Sequence, residues 1–259
     1  VKRSRIAWLA AAVLLLIVSV VLLLPARWVA PLVQTRLHGF SLEGVHGLVW
    51  NGRAEQLRDL DGHSLGQVRW RLSRGLLWGR LELWLDFAGP QLTASGRLQR
   101  DPAGRPVWTN VSLRADLAAW TPRLDSSFGT PGGLLEMKLQ RAVLQANWPV
   151  ELSGQVQWHD AVMRTRNRTI ELGDFRSDIG GTNGVLTGEL HDQDAGPLHA
   201  QGQWQASPLG WRLDLLLRPR TADPALRQWL ARWGGPDASG AVQLHRRGGL
   251  AAAAPETAR

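Results

Sequence analysis

Leu81-Glu82-Leu83-Trp84-Leu85-Asp86-Phe87 alternates apolar with polar residues, with one aromatic exception. A period of two sends successive side chains to opposite faces of a β-strand. Leu81, Leu83, Leu85 and Phe87 then share one face, and Glu82, Trp84 and Asp86 the other. The same pattern recurs in Val68-Arg69-Trp70-Arg71-Leu72, in Leu135-Glu136-Met137-Lys138-Leu139-Gln140 and in Trp211-Arg212-Leu213-Asp214-Leu215. Turn signals separate these runs: Asp61-Gly62, Gly89-Pro90, Asp101-Pro102-Ala103-Gly104, Gly180-Gly181-Thr182-Asn183-Gly184 and Asp192-Gln193-Asp194-Ala195-Gly196-Pro197. Short strands at this spacing describe antiparallel meanders, and the connections are too short for the crossover helices of a parallel sheet. The expected fold is mainly β, occupying residues 41–247.

Two interruptions stand out. Trp120-Thr121-Pro122 through Gly132-Gly133 reads as a linker, and a sub-boundary is expected near 120–133. Near the end, Asp223 suits an N-cap and Pro224 a first helical turn. Leu226, Trp229, Leu230 and Trp233 follow at helical spacing before Gly234-Gly235 stops them. One short C-terminal helix is therefore expected. Residues 248–259 read as a disordered tail.

Ahead of the β region the pattern is different. Ile6 to Leu24 contains no charge, and Ser19 is its one polar residue. As a helix it spans about 28 Å, close to a bilayer's hydrocarbon thickness. Lys2, Arg3 and Arg5 precede it, so the positive-inside rule keeps residues 1–5 cytoplasmic and exports the rest. A cleaved signal peptide would carry small residues in an A-x-A arrangement, whereas this run ends Leu24-Pro25-Ala26-Arg27-Trp28. The reading is a single transmembrane helix over 6–24, a membrane-proximal linker over 25–40 with a short helix emerging near Trp28, and an exported body.

The chain has 14 Trp, 4 Phe, no Tyr and no Cys, with a formal charge of +8. An exported chain without cysteine has no disulfide and no thiolate metal site, so packing alone must hold it. Its scattered arginines meet no nucleic acid outside the cytoplasm. They fit weak attraction to anionic headgroups or a codon bias that favours Arg and Trp. The seven histidines have no paired-ligand spacing. His191-Asp192-Gln193-Asp194, and Asp59 with Asp61, read as turns. No G-x-S-x-G elbow and no phosphate loop is present. No cofactor, metal or enzymatic activity is expected. Trp70 has core parity, but Trp84 lies on the polar face, which suggests that this face is partly covered or that the sheet curls round a groove.

Three stretches carry a resemblance. They are Gly47-Leu48-Val49-Trp50-Asn51-Gly52, then Gly188 with Gly196-Pro197-Leu198, then Pro219, Leu226, Leu230, Gly234 and Gly240. In this order, after one N-terminal anchor, they resemble protein N of the type II secretion system. The resemblance implies an accessory subunit of the bacterial inner membrane without catalytic residues. Its partners would be other secretion subunits, inner-membrane or secretin components, together with membrane lipid through the anchor. It also implies a curled, elongated antiparallel sheet similar to AsmA-like proteins. Two other readings stay open: a periplasmic lipid-handling protein and a cell-wall-acting enzyme.

Overall fold

The computed structural model describes residues 8, 15–16, 18–35, 39–59, 62–120, 129–165, 168–193 and 196–249. The cluster Lys2, Arg3 and Arg5, most of the apolar run 6–24, Asp61, Asp194 and the tail from 250 lie outside these residues. Residues 18–22 are helical. Among the described residues no helix is long and apolar enough to cross a membrane.

The chain forms two compact units, Val1–Pro90 and Gln91–Arg259. In the first, helix α1 (Ala26–Gln34) precedes four strands: β1 (Ser41–Leu48), β2 (Asn51–Arg58), β3 (Ser64–Leu72) and β4 (Glu82–Ala88). Each pairs antiparallel with the next. Ala26 and Ala30 are buried and Trp28 and Leu32 are exposed, so α1 turns its small residues inward. Pro25, fixed in extended geometry, separates α1 from the helical residues before it.

The second unit has nine strands in an antiparallel meander, again neighbours in chain order. They are β5 (Leu92–Arg100), β6 (Pro106–Asp116), β7 (Thr130–Gln145), β8 (Trp148–Arg164), β9 (Thr169–Thr182), β10 (Val185–Asp192), β11 (Leu198–Ser207), β12 (Gly210–Pro219) and β13 (Val242–Gly249). Helix α2 (Pro224–Leu230) lies between the last two. Asp223 caps it as its chemistry dictates, its carboxylate accepting from the Ala225 N–H at 2.8 Å. Leu226, Trp229 and Leu230 are buried, and they pack with Ile170, Leu172, Leu198, Ala200, Leu217 and Val242. This is the main core.

Several boundaries differ from the sequence reading. Gly132 and Gly133, read as the end of a linker, lie in β7. Gly133 has φ +103, and backbone carbonyls of β8 sit 2.5 Å from where its Cβ would be. The glycines serve a bulge against β8, which sequence spacing alone makes look like a hinge. Residues 121–128 are outside the described ones. Gly180 and Gly181, read as turn, are paired strand residues of β9. Gly248 and Gly249, read as tail, end β13 and pair with Trp211 and Gly210.

The tryptophans have a common use. Trp70 lies across from Gly52, Trp204 from Gly188 and Trp211 from Gly248, and in each pair the indole fills the space a Cβ would take. Trp108 lies against Gly96 in the same way. The indole N–H groups find backbone acceptors: Trp70 donates to Val49 O at 3.1 Å, Trp148 to Gly184 O at 2.8 Å and Trp158 to Gly132 O at 3.0 Å. A glycine leaves a pleated sheet without a side chain to pack. A ring laid over it restores the buried apolar area.

Candidate functional site

The register of the second unit builds two faces of opposite chemistry. One row crosses all nine strands: Ala94, Leu113, Met137, Val156, Ser177, Leu190, Gly202, Leu215 and Leu244. Ser177 is its one polar side chain, buried and accepting the Trp204 indole N–H at 3.3 Å. The adjoining row, one residue along each strand, is Thr93, Arg114, Glu136, Gln157, Arg176, His191, Gln201, Leu216 and Gln243. A period of two therefore yields a largely apolar face, with Ser177 as its polar exception, and a largely polar one, with Leu216 as its apolar exception.

Helix α2 covers only one end of the apolar face. Next to it lies an apolar trough of about 300 Å³, lined by Leu135, Val156, Trp158, Phe175, Leu190, Leu215 and, from the helical side, Trp229 and Trp233. Trp158 and Phe175 meet at 5.9 Å between ring centroids, and Trp229 and Trp233 at 5.6 Å edge to face. Beyond the trough Leu113 and Met137 are half-buried, and Trp211 is exposed. Trp84, the residue whose parity first suggested a groove, does not line the trough. It lies in β4 opposite Arg71.

The polar face carries its own depression, lined by Asp178, Thr187, Glu189, Gln203, Gln205, Arg212 and Asp214. Its carboxylates are engaged by neighbouring side chains: Asp178 by Arg176 at 2.9 Å, Glu189 by His191 at 3.6 Å, and Asp214 by Arg212 at 2.7 Å and His245 at 2.8 Å. Hydrogen bonds from His245 and then Arg212 hold the Asp214 carboxyl below the usual carboxylate range. Such a group accepts hydrogen bonds as an anion and does not donate a proton near neutrality. Among the described residues no cluster of three or more His, Cys, Asp or Glu is placed to hold a metal.

Asp192, which the sequence presents as part of a turn, ends β10 as a buried acceptor, its side chain only 5% exposed. It takes the His199 ring at 2.8 Å, the Arg220 guanidinium at 2.5 Å and the Ala200 N–H at 3.1 Å. The same Arg220 donates to Gly196 O at 3.3 Å, and its backbone N–H donates to Pro197 O at 2.7 Å. This set ties β10, β11 and the exit from β12 beside α2. Only Arg220 comes from well away in sequence, and alternation on β10, which puts Asp192 on the apolar side with Leu190, is the signal that could have found the set.

The residues behind the family resemblance fall into two groups. Around α2 the fold gathers Leu198, Pro219, Leu226, Leu230, Gly234 and Gly240. Leu198 pairs with Pro219, Gly240 takes φ +79 with the Pro219 ring 3.5 Å from its Cβ position, and Gly234 lies 3.1 Å from Val242 by the same measure. Gly196 packs backbone to backbone on Gly173, and Gly188 lies under Trp204. Gly47, Trp50 and Gly52 instead form the β1–β2 hairpin of the first unit. There Gly47 takes φ +87, with Asn51 O 2.6 Å from its Cβ position, and Trp50, 7% exposed, donates to Val21 O at 2.9 Å.

The family model described as type II secretion system (T2SS), protein N, matches residues 38–245, from just before β1 to within β13. The chain belongs to the type II secretion system protein N family. Relatives bearing the name type II secretion system protein N include one from Vibrio cholerae serotype O1, 29% identical over 179 residues. That match covers 66% of this chain and 69% of the relative. Another, from Aeromonas hydrophila, is 28% identical over 214 residues, covering 80% of this chain and 84% of its own. No solved structure matches the chain. The family match spans both hairpin and helix groups of glycines and leucines, and each of these residues has a packing role.

Proposed function

We propose that this chain is an accessory, single-pass inner-membrane subunit of a type II secretion system, working as a non-catalytic scaffold. Residues 6–24 anchor it with Lys2, Arg3 and Arg5 in the cytoplasm, and the sheet stands in the periplasm of a Gram-negative cell. The apolar row from Ala94 to Leu244, which α2 covers at one end only, carries the reading. A sheet face this apolar is ordinarily covered, and in a secretion subunit the natural cover is a sibling subunit. The edge strand β13 offers a second contact by strand addition.

The test is deletion followed by complementation. Loss of the gene should leave folded type II substrates in the periplasm, and the intact gene should restore their passage. A Leu213→Glu variant, which places a charge on the open part of the apolar face, should fold yet fail to restore export or to co-purify a sibling subunit. Unimpaired secretion without the gene, with no subunit co-purifying, ends this reading.

The trough favours a second reading, in which an acyl chain occupies the space between Trp158, Leu215 and Trp233. Lipid extracted with the purified protein and lost in Leu215→Glu, with secretion intact, would replace the first reading with this one.

A further inference from the structure

The β3–β4 connection is built and yet exposes its apolar residues. Arg74–Trp78 forms a 3-10 turn, with Ser73 Oγ accepting from Gly75 N–H at 3.1 Å and Gly79 closing it at φ +78. Arg80 N–H returns to Gly75 O at 2.9 Å. On this pinned turn Leu76 is 40%, Leu77 49% and Trp78 76% exposed. Arg74 and Arg80 flank it, and neither forms an ion pair among the described residues.

Its place in the meander matters more than its composition. In antiparallel strands, connections alternate between the two ends, so the β1–β2 turn and the β3–β4 turn share one end. Leu72 N–H donates directly to Trp50 O at 2.8 Å. That same β1–β2 turn holds the end of the N-terminal apolar run. Val49 N–H donates to Leu24 O at 3.0 Å, Pro25 bridges to Leu48, and the Trp50 indole donates to Val21 O. The Leu-Leu-Trp tip therefore sits about two strand spacings, roughly 10 Å, from the point where the apolar run joins the sheet.

We propose that the Arg74–Arg80 connection is a second membrane contact beside the anchor. Leu76, Leu77 and Trp78 enter the interfacial layer of the bilayer, and Arg74 and Arg80 meet the phosphates of anionic lipids. Tryptophan suits that layer because its ring is apolar and its N–H is not, and arginine pairs with phosphate through its planar fork. A single helix leaves a domain free to rotate about its axis. A second contact fixes which side of the β1–β4 sheet faces away from the membrane. The proposal rests on the anchor reading above.

The chain has no cysteine, so Leu77→Cys, Leu16→Cys and Ser64→Cys each give one labelling site in the full-length protein. Each variant is labelled with an environment-sensitive fluorophore and reconstituted into phosphatidylethanolamine–phosphatidylglycerol vesicles carrying brominated acyl chains. The expected result is strong quenching at 16, clear quenching at 77 and none at 64, which lies at the other end of the sheet. Replacing phosphatidylglycerol by phosphatidylcholine should reduce quenching at 77 and leave 16 unchanged. Quenching at 16 with a water-exposed label at 77 overturns the second contact and leaves the anchor standing, the tip then being a surface for protein. A water-exposed label at 16 as well as at 77 removes both. Quenching at 77 that ignores lipid charge refutes the role given to Arg74 and Arg80.

Discussion

The two compact units use one secondary structure and solve its packing problem differently. Among the described residues up to 90 the buried apolar side chains are small, apart from one tryptophan: Ala26, Ala30, Ala54 and Trp50. That sheet is held by backbone and indole hydrogen bonds between the first hairpin and residues 21–25. In residues 91–259 a short helix seals one end of an apolar face, and the fully buried side chains include Leu226, Leu230, Val143 and Val242. The lesson concerns what a meander needs. Four strands can be steadied from one end, whereas an apolar face nine strands wide needs a cover, and α2 covers only part of it.

Loss of packing at α2 should have the strongest effect. Leu226 is fully buried, and Leu226→Ala should cost about 3 kcal/mol through lost burial and a residual cavity. Hydrogen exchange should show the loss in β9, β12 and β13, with amides of β1–β4 unchanged. Gly188→Val should cost about 2 kcal/mol, because the Trp204 ring occupies the space the new side chain needs. Adding Trp204→Ala should recover part of that loss in a denaturant titration, whereas a purely backbone effect of Gly188 would give additive costs.

Smaller effects sharpen the contrast. Asp223→Ala removes the cap of α2 and should cost about 1 kcal/mol, read as a lower denaturation midpoint. Trp50→Phe keeps an aromatic ring but loses the five-membered part of the indole and with it the N–H donated to Val21 O. It should cost about 1 kcal/mol and speed exchange in β1 and β2 alone. The smallest effect is the pH response. Asp237, like Asp214, has a depressed carboxyl, held down by the Ser239 hydroxyl and by the Ala241 and Ser239 backbone N–H groups. A depressed folded pKa gives stability that is present above the unfolded value, about 3.9, and is lost as pH falls through the folded one. Asp237→Asn should therefore flatten the stability profile below about pH 4 and leave its slope at neutral pH unaltered.

Much of this was legible because it is local. Alternation in 81–87 and 135–140 reports strand and face at once, since the pleat repeats every two residues. The α2 cap needed only Asp223, Pro224 and the leucine spacing. What was not legible depended on partners. Gly132 and Gly133 look like a hinge until the β8 carbonyls beside them are seen. The excess of tryptophan looked like composition, and becomes packing only when Gly52, Gly188 and Gly248 lie across from the rings. Asp192 looked like a turn residue until His199 and Arg220 closed on it.

Strand periodicity, the short capped helix, the apolar run at residues 6–24 and membership of a secretion family can all be read along the chain, because each is written in residues close together or in a fixed order. The folded chain alone shows that a largely apolar row crosses nine strands, that α2 covers one end of it, and that the Leu76-Leu77-Trp78 turn shares an end of its strands with the hairpin that holds residues 21–25. Those facts depend on register and on which end of the meander each connection occupies. Register is set by long-range pairing and bulges, and no local pattern encodes it.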